Sequence, residues 1–394
     1  MRGQRTEKKA HRHPLRRWLG ALLAAAVLWV PAAWAAEQTA DPDAPPAVEA
    51  QAFVLMSAQT GQVFLEGNMH QQLPMASTTK IMTALLAVEN GSLDTVYTMR
   101  KEDVTVEGSS LGVREGDQLT LRDLITGMML KSGNDAARSV AHIVGGDGFV
   151  DMMNQRAAQL GMRNTHFTNP AGLPDDDHYS TAYDMALLAK AALQNPDFAA
   201  ICASSTAAIT VNGDTWHLKN SNRLLRELDG ACGIKTGFTK KAGRCLVSAV
   251  TREGSTLICV TLNCGEDWKT HTALYDYAFA TGSTQQLPPE EKSSLPVVGG
   301  SKDSVQITVQ SDLDFLLLKE GSSLQKTVQL PGFIYAPITA GQVVGEVVYR
   351  SPDGGEYRLP VTATEEVPEK GKKTGDKKKT GGIFDWIKGW FVKD

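Results

Sequence analysis

Ser77-Thr78-Thr79-Lys80 sets a hydroxyl and an amine three residues apart, and on a helix that spacing brings both to one face within a turn. A serine becomes a nucleophile only if a base takes its proton. A lysine is that base only when its neutral form is favoured, which burial and a second nearby cation both achieve by disfavouring the ammonium. A helix N-terminus beneath Ser77 would also favour negative charge developing on its oxygen. The pair alone carries little weight: a Ser-x-x-Lys match arises about once by chance in a chain of this size, and an ordinary helix start looks the same.

Two further triplets offer partners. Ser132-Gly133-Asn134 supplies a second hydroxyl that can relay a proton and an amide that can hydrogen-bond Lys80 or a substrate carbonyl, though it reads equally as a cap between two helices. Lys235-Thr236-Gly237 would set a cation, a hydroxyl and a residue without a side chain along a strand edge, suited to a carboxylate and an extended peptide. The same triplet recurs at Lys373 and Lys379, in a stretch that cannot build a site, so it too depends on context.

The elements that must position these groups follow from hydrophobic spacing. Residues 52–56 and 62–65 flank a turn at Gln59-Thr60-Gly61 and predict a β-hairpin. Ile81, Leu85 and Val88 recur at helical spacing over 77–89, and further helices are predicted near 120–131, 134–144, 147–160 and 181–194. Strands return at 207–211, 244–251 and 255–263, before a helix near 268–280. Strands, then helices, then strands predict an α+β domain over 50–285, with the sheet closed by both ends of the domain. From 296 to 365 alternating strands broken by Gly and Pro predict a separate small all-β domain.

With the three motifs in order at a helix start, an interhelix turn and the approach to returning strands, the chain resembles the penicillin-binding proteins and serine β-lactamases. It is most similar to the low-molecular-weight D-alanyl-D-alanine carboxypeptidases over about residues 50 to 285. The likeness runs through Pro74-Met75-Ala76-Ser77, Gly108-Ser109-Ser110, Ser132 to Ala137, Asn169 with Gly172-Leu173, His178 to Asp184, Asn220-Ser221-Asn222, and Gly233 to Thr239. The resemblance implies an antiparallel sheet flanked by helices, an all-helical subdomain and a C-terminal β domain.

It also implies Ser77 as the acylated nucleophile, Lys80 as its base, Ser132 and Asn134 as relay and positioning groups, and Lys235 with Thr236 as the carboxylate-binding pair. Gly237 completes the motif, and the backbone N–H groups of Ser77 and Phe238 would form an oxyanion hole. The implied substrate is the peptidoglycan stem peptide, with loss of terminal D-alanine; penicillins are implied as inhibitors, and no cofactor or metal is expected. Two residues depart from the family pattern: Cys232, where an acidic residue is expected, and Ser57, where the first strand usually ends in Asp or Glu.

A class A β-lactamase would need a deacylating glutamate, yet between Ser132 and Lys235 the chain has only Glu227, without the Asn such enzymes carry four positions on. A transpeptidase or endopeptidase would keep the same residues and differ in the acceptor, so it stands second. A decayed wall-binding protein fits poorly with the presence of both Ser77 and Lys235. His178, Asp175-Asp176-Asp177 and His142 read as structural.

At the ends, residues 1–35 carry a basic run, an apolar stretch from Trp18 to Val30 and then Ala33-Trp34-Ala35, the layout of a secretory signal peptide; an uncleaved anchor is the alternative. Residues 36–49 form a spacer, and 366–382 a basic flexible linker. Within 383–394, Ile383, Phe384, Trp386, Ile387, Trp390 and Phe391 share a helical face, which predicts an amphipathic helix on a membrane surface or, failing that, one docked on protein. Export to the outer face of a bacterial cytoplasmic membrane follows. The net charge of -4 gives no support to a nucleic-acid partner. Five cysteines cannot all pair within one chain and lack zinc-site spacing, so free, mostly buried thiols are expected.

Overall fold

A computed structural model describes residues 44–371 apart from 288, 289, 312 and 353. The signal segment, the terminal helix and most of the basic linker expected from the sequence lie outside these residues.

The hairpin forms as expected, from β1 (Ala50–Ser57) and β2 (Val63–Gly67). Ser57, at the end of β1, accepts a hydrogen bond from the Thr60 backbone at 3.1 Å and so fixes the turn. The helix expected from residue 77 is divided. A single 3₁₀ turn covers Ala76–Thr79, and α1 proper runs over Lys80–Asn90. The cause is local: Ala76 has a φ of 49°, which bends the chain just ahead of Ser77.

A small ladder of β3 (Val96–Thr98) and β4 (Gln118–Thr120), with α2 (Lys101–Val104) between them, leads into a helical layer. This layer holds α3 (Leu121–Lys131), α4 (Asn134–Val144), α5 (Phe149–Gln159), α6 (Ala182–Leu193) and α7 (Pro196–Ala203). Thr120 and Thr181 cap α3 and α6 through their side chains. Helix α7 was not anticipated, although Asn195 at its N-cap and Pro196 at its first position are a start signal.

The hairpin β5 (Thr206–Val211) and β6 (Asp214–Lys219) and a short α8 (Leu224–Glu227) precede β7 (Ala231–Thr239), β8 (Gly243–Arg252) and β9 (Ser255–Cys264). Together with the hairpin these form one antiparallel sheet in the order β2-β1-β9-β8-β7, so β1 pairs with β9 and both ends of the domain close the sheet. The expected α+β class is the observed one.

Both faces of the sheet are covered. Ile258, Val260 and Leu262 of β9 join the core shared with α1, α3 and α6, while Leu257 and Cys259 pack with Leu274, Tyr275 and Ala278 of α9 (Asp267–Thr281). Period-two alternation produces this division. Under α9 a closed polar network joins Ser248 to His271 (2.7 Å) and Tyr275 (2.8 Å), and His271 to Thr261 (2.9 Å).

The remaining strands are β10 (Ser283–Gln286), β11 (Glu290–Val298), β12 (Ser304–Gln310), β13 (Phe315–Leu318), β14 (Gln325–Gln329), β15 (Ile334–Tyr335), β16 (Val343–Arg350) and β17 (Glu356–Ala363). Six of them form a sheet in the order β14-β16-β17-β12-β11-β15 around their own core, which includes Val305, Ile307, Val347, Leu359 and Val361. Strand β11 begins at Glu290, upstream of the 296 expected, because its first residues are polar and show no alternation. Leu317 of β13 joins the cluster beneath α9, and Lys319 N donates to Gln62 at 2.9 Å. All five cysteines are free; four are buried and Cys232 is half-buried. Among the described residues no helix is long and apolar enough to cross a membrane.

Burial lowers the His271 pKa to about 3. An unfolded chain takes up this proton near pH 6.5, so the unfolded state binds more protons between these values and stability falls as pH drops through that window. Urea unfolding at pH 7 and pH 4.5 should give the lower midpoint at pH 4.5, and His271→Gln should reduce that difference.

Candidate active site

The 3₁₀ turn accounts for the geometry of the first pair. At three residues per turn, side chains at i and i+3 eclipse, so Lys80 sits directly over Ser77. Its Nζ lies 3.0 Å from Ser77 Oγ, 2.7 Å from Asn134 Oδ1 and 2.6 Å from the Ala171 carbonyl. Asn134 is the first residue of α4, and its own amide donates to the Glu107 carbonyl at 2.5 Å. Its orientation, with oxygen toward Lys80, is therefore set from both sides. Ser132 adopts a left-handed φ of 62° as the C-cap of α3, so the second triplet is both an interhelix cap and part of the site.

The neighbouring loop is held by Asp135, which is fully buried and accepts from Ser110 Oγ (2.5 Å), Leu111 N (2.8 Å) and Gly112 N (3.0 Å). A second loop supplies Ala171. Asn169 Oδ1 accepts from the backbone N–H groups of Ala171, Gly172 and Leu173, curling that segment so its carbonyls face α1. His178 buttresses the turn from behind. Its Nδ1 accepts from Thr168 N at 3.0 Å, which leaves Nε2 to donate to Thr79 Oγ1 at 2.8 Å, and Thr79 donates on to the Ala76 carbonyl at 2.9 Å. Burial lowers the His178 pKa to about 4, so the ring is neutral at pH 7 and its role is structural. Asp176 pairs with Lys241, and His142 meets the buried Asp103 at 2.5 Å, a partner that sequence spacing did not reveal.

The third triplet lies within β7, the edge strand of the sheet, rather than on its approach. A Cβ at Gly237 would stand 3.1 Å from both Ser77 N and the Met75 carbonyl, so the missing side chain lets the strand edge close on the turn that carries Ser77. Lys235 is only 1% exposed, and its Nζ donates to the Thr236 carbonyl at 3.0 Å. Thr236, Gly237 and Phe238 instead line an open cleft of about 320 Å³, with Ser77, Ser109, Lys131, Ser132, Ser221, Arg244, Asp267 and Trp268. Of the expected site residues, Lys80, Asn134 and Lys235 therefore lie beneath the cleft floor. Arg244, Asp267 and Trp268 were not singled out, because single residues on a strand and at a helix start carry no motif. A larger cavity of about 800 Å³, lined by Gln59, Lys190, Cys232 and Tyr357 among others, holds no nucleophile paired with a base. Burial raises the pKa of the Cys232 thiol, which favours its protonated form.

Electrostatics at Lys80 favour the free amine. Burial depresses its pKa well below the ordinary lysine value, the Lys235 charge depresses it further, and Asp135 opposes them. Burial brings Lys235 itself down to about 8. A neutral lysine has two N–H bonds, and the two short contacts, to Asn134 and Ala171, take both. The remaining lone pair faces Ser77 Oγ. The arrangement can remove the Ser77 proton as that oxygen attacks a carbonyl.

A family profile described as D-alanyl-D-alanine carboxypeptidase matches residues 37–266, and one described as the C-terminal domain of penicillin-binding protein 5 matches 287–369. The chain is 30% identical over 355 residues to D-alanyl-D-alanine carboxypeptidase DacF of Bacillus subtilis, covering 86% of this chain and 90% of the relative. It is 33% identical to DacC of Escherichia coli, covering 91% and 93%. Among solved structures, penicillin binding protein 5 from Haemophilus influenzae superposes with a TM-score of 0.62 at 28% identity, covering 83% of this chain and 99% of that one. A mutant of the Streptomyces K15 DD-transpeptidase superposes with a TM-score of 0.58 at 31% identity, covering 60% and 99%.

Two outcomes test this geometry. Gly172 has a φ of 82°, and a Cβ there would fall 1.9 Å from the Ala76 carbonyl. Gly172→Ala should destabilise the protein by more than about 2 kcal/mol in urea unfolding and slow acylation of Ser77. Lys235→Gln removes the cation that depresses Lys80. On the expectation that neutral Lys80 activates Ser77, the rise of acylation with pH should then move to higher pH when the rate is followed with a β-lactam.

Proposed function

The chain belongs to the D-alanyl-D-alanine carboxypeptidase family and is a hydrolase of the peptidase class, and from that premise we propose how its residues remove the terminal D-alanine of a peptidoglycan stem peptide. The peptide lies along the edge of β7. Ser77 Oγ attacks the carbonyl before the last residue while Lys80 Nζ takes its proton, and the N–H groups of Ser77 and Phe238 hold the oxyanion. As the peptide bond breaks, Lys80 gives that proton to Ser132, at the cleft surface, whose own proton passes to the leaving amine, so D-alanine departs and Lys80 is neutral again. Water then hydrolyses the ester on Ser77, with Lys80 again as base. Thr236, together with the field of Lys235, binds the terminal carboxylate. A β-lactam enters as a substrate mimic and leaves a slowly hydrolysed ester.

The observation that carries this reading is the double hydrogen-bond anchoring of Lys80 by Asn134 and Ala171, which leaves its lone pair for Ser77. The likeness to a protein described as a DD-transpeptidase supports a second reading, in which an amine rather than water accepts the acyl group. The basic linker and amphipathic face of 383–394 support attachment to the outer face of the cytoplasmic membrane after export by the 1–35 signal.

Release of D-alanine from a diacylated L-lysyl-D-alanyl-D-alanine peptide should be catalysed by the full chain and lost in Ser77→Ala. Release that persists in the variant would put the nucleophile elsewhere, and D-alanine exchange with an added amine in preference to hydrolysis would favour the transpeptidase reading. Deleting 383–394 should move the protein from the membrane pellet to the supernatant; continued sedimentation would remove the anchor.

A further inference from the structure

We propose that the cation that touches the substrate's terminal carboxylate is Arg244, and that Lys235 acts on that carboxylate only through its field. The proposal rests on the carboxypeptidase reading above and names a contact which that reading left to Thr236 and Lys235. A direct partner must reach the cleft, and Lys235 does not. It is buried, its ammonium donates to the Thr236 carbonyl, and it is absent from the cleft lining. The cations that do line the cleft are Lys131 and Arg244. Lys131, at the end of α3, has an exposed side chain.

Arg244 is placed and held. Thr236 and Phe238 project from one face of β7 by strand alternation, and Phe238 pairs across the ladder with Arg244, so all three share that face and Thr236 is the diagonal neighbour of Arg244. The guanidinium is fixed by Asp267, whose Oδ1 accepts from Nε at 3.1 Å and from Nη2 at 2.7 Å, and it lies 5.6 Å from the centre of the Trp268 ring. Arg223 lies against the same ring at 5.5 Å. The Asp267 side chain is 3% exposed and that of Arg244 is 41% exposed, so the anchor is buried while the cation opens to the cleft.

Asp267 shares its carboxylate between Arg244 and the start of α9. Its Oδ1 also accepts from Trp268 N at 2.9 Å, and it is the first residue of α9, where the helix dipole shares the carboxylate's charge. Two of the five guanidinium N–H donors are used on Asp267. Among the described residues Nη1 has no protein partner, which leaves it for a planar, two-oxygen anion. Pre-orientation by the carboxylate and the ring means that little side-chain freedom is lost when substrate binds.

The test compares kcat/KM of the full chain on a diacylated L-lysyl-D-alanyl-D-alanine peptide with that on the same peptide ending in D-alaninamide, which has no terminal charge. The wild type should prefer the carboxylate. Arg244→Gln should lower kcat/KM on the acid by roughly 10- to 100-fold and on the amide by less than about threefold, with Arg244→Lys between the two on the acid. Equal losses on both peptides would make Arg244 a structural support for the Asp267–Trp268 corner and overturn the proposal, as would no loss on either. If Arg244→Gln does not fold by thermal melting, the lysine variant decides: an undiminished preference for the acid overturns the proposal. Failure of the wild type to release product from either peptide would instead strike the carboxypeptidase reading itself.

Discussion

An amine buried at the foot of a cleft is the constraint on which the remaining structure depends. Lys80 is fully enclosed. A charged ammonium there would be costly, and two forces, desolvation and the positive charge of Lys235, drive it toward the free base. Neutralising the amine is only half of the requirement, because a free amine can turn its lone pair anywhere. Asn134 and the Ala171 carbonyl remove that freedom by engaging both N–H bonds. Each of these partners is itself tied: Asn134 to Glu107, and the Ala171 loop through Asn169.

The supporting elements follow from that need. The 3₁₀ turn stacks Ser77 on Lys80, the antiparallel sheet brings its edge strand beside that turn, and Gly237 permits the approach. The polar network of Ser248, His271, Thr261 and Tyr275 behind the sheet satisfies groups that would otherwise be orphaned between β8, β9 and α9. Those strands in turn carry Arg244 and the register of β7. One side of the sheet thus holds the buried amine and the other the anchored guanidinium, with the edge of β7 between them.

Much of this was legible in the sequence, and the omissions have physical causes. Long amphipathic helices such as α3, α4 and α6 declare themselves by spacing, and alternating β8 and β9 do so by composition. The motif serines and lysines were recognised because their order and context matched a known pattern, and all of them surround one cleft or its floor. The split of the first helix at Lys80 was hidden because it depends on the backbone at Ala76, not on residue type. The carbonyl of Ala171 and the tautomer of His178 were hidden for a similar reason, since a backbone oxygen has no letter of its own and a ring nitrogen's role is set by a neighbour distant in sequence. Strand periodicity told nothing about which face of β7 opens to solvent, so Lys235 was expected to bind the carboxylate from the strand edge and Arg244 was passed over.

The most direct measurement is the site and rate of acyl-enzyme formation with a radiolabelled penicillin, followed by intact mass and peptide mapping of the wild type and Lys80→Ala. The account predicts one adduct per chain, on the peptide containing Ser77, and a rate that collapses when Lys80 is removed although the protein remains folded. An adduct on another residue, or unchanged labelling of Ser77 without Lys80, would contradict it.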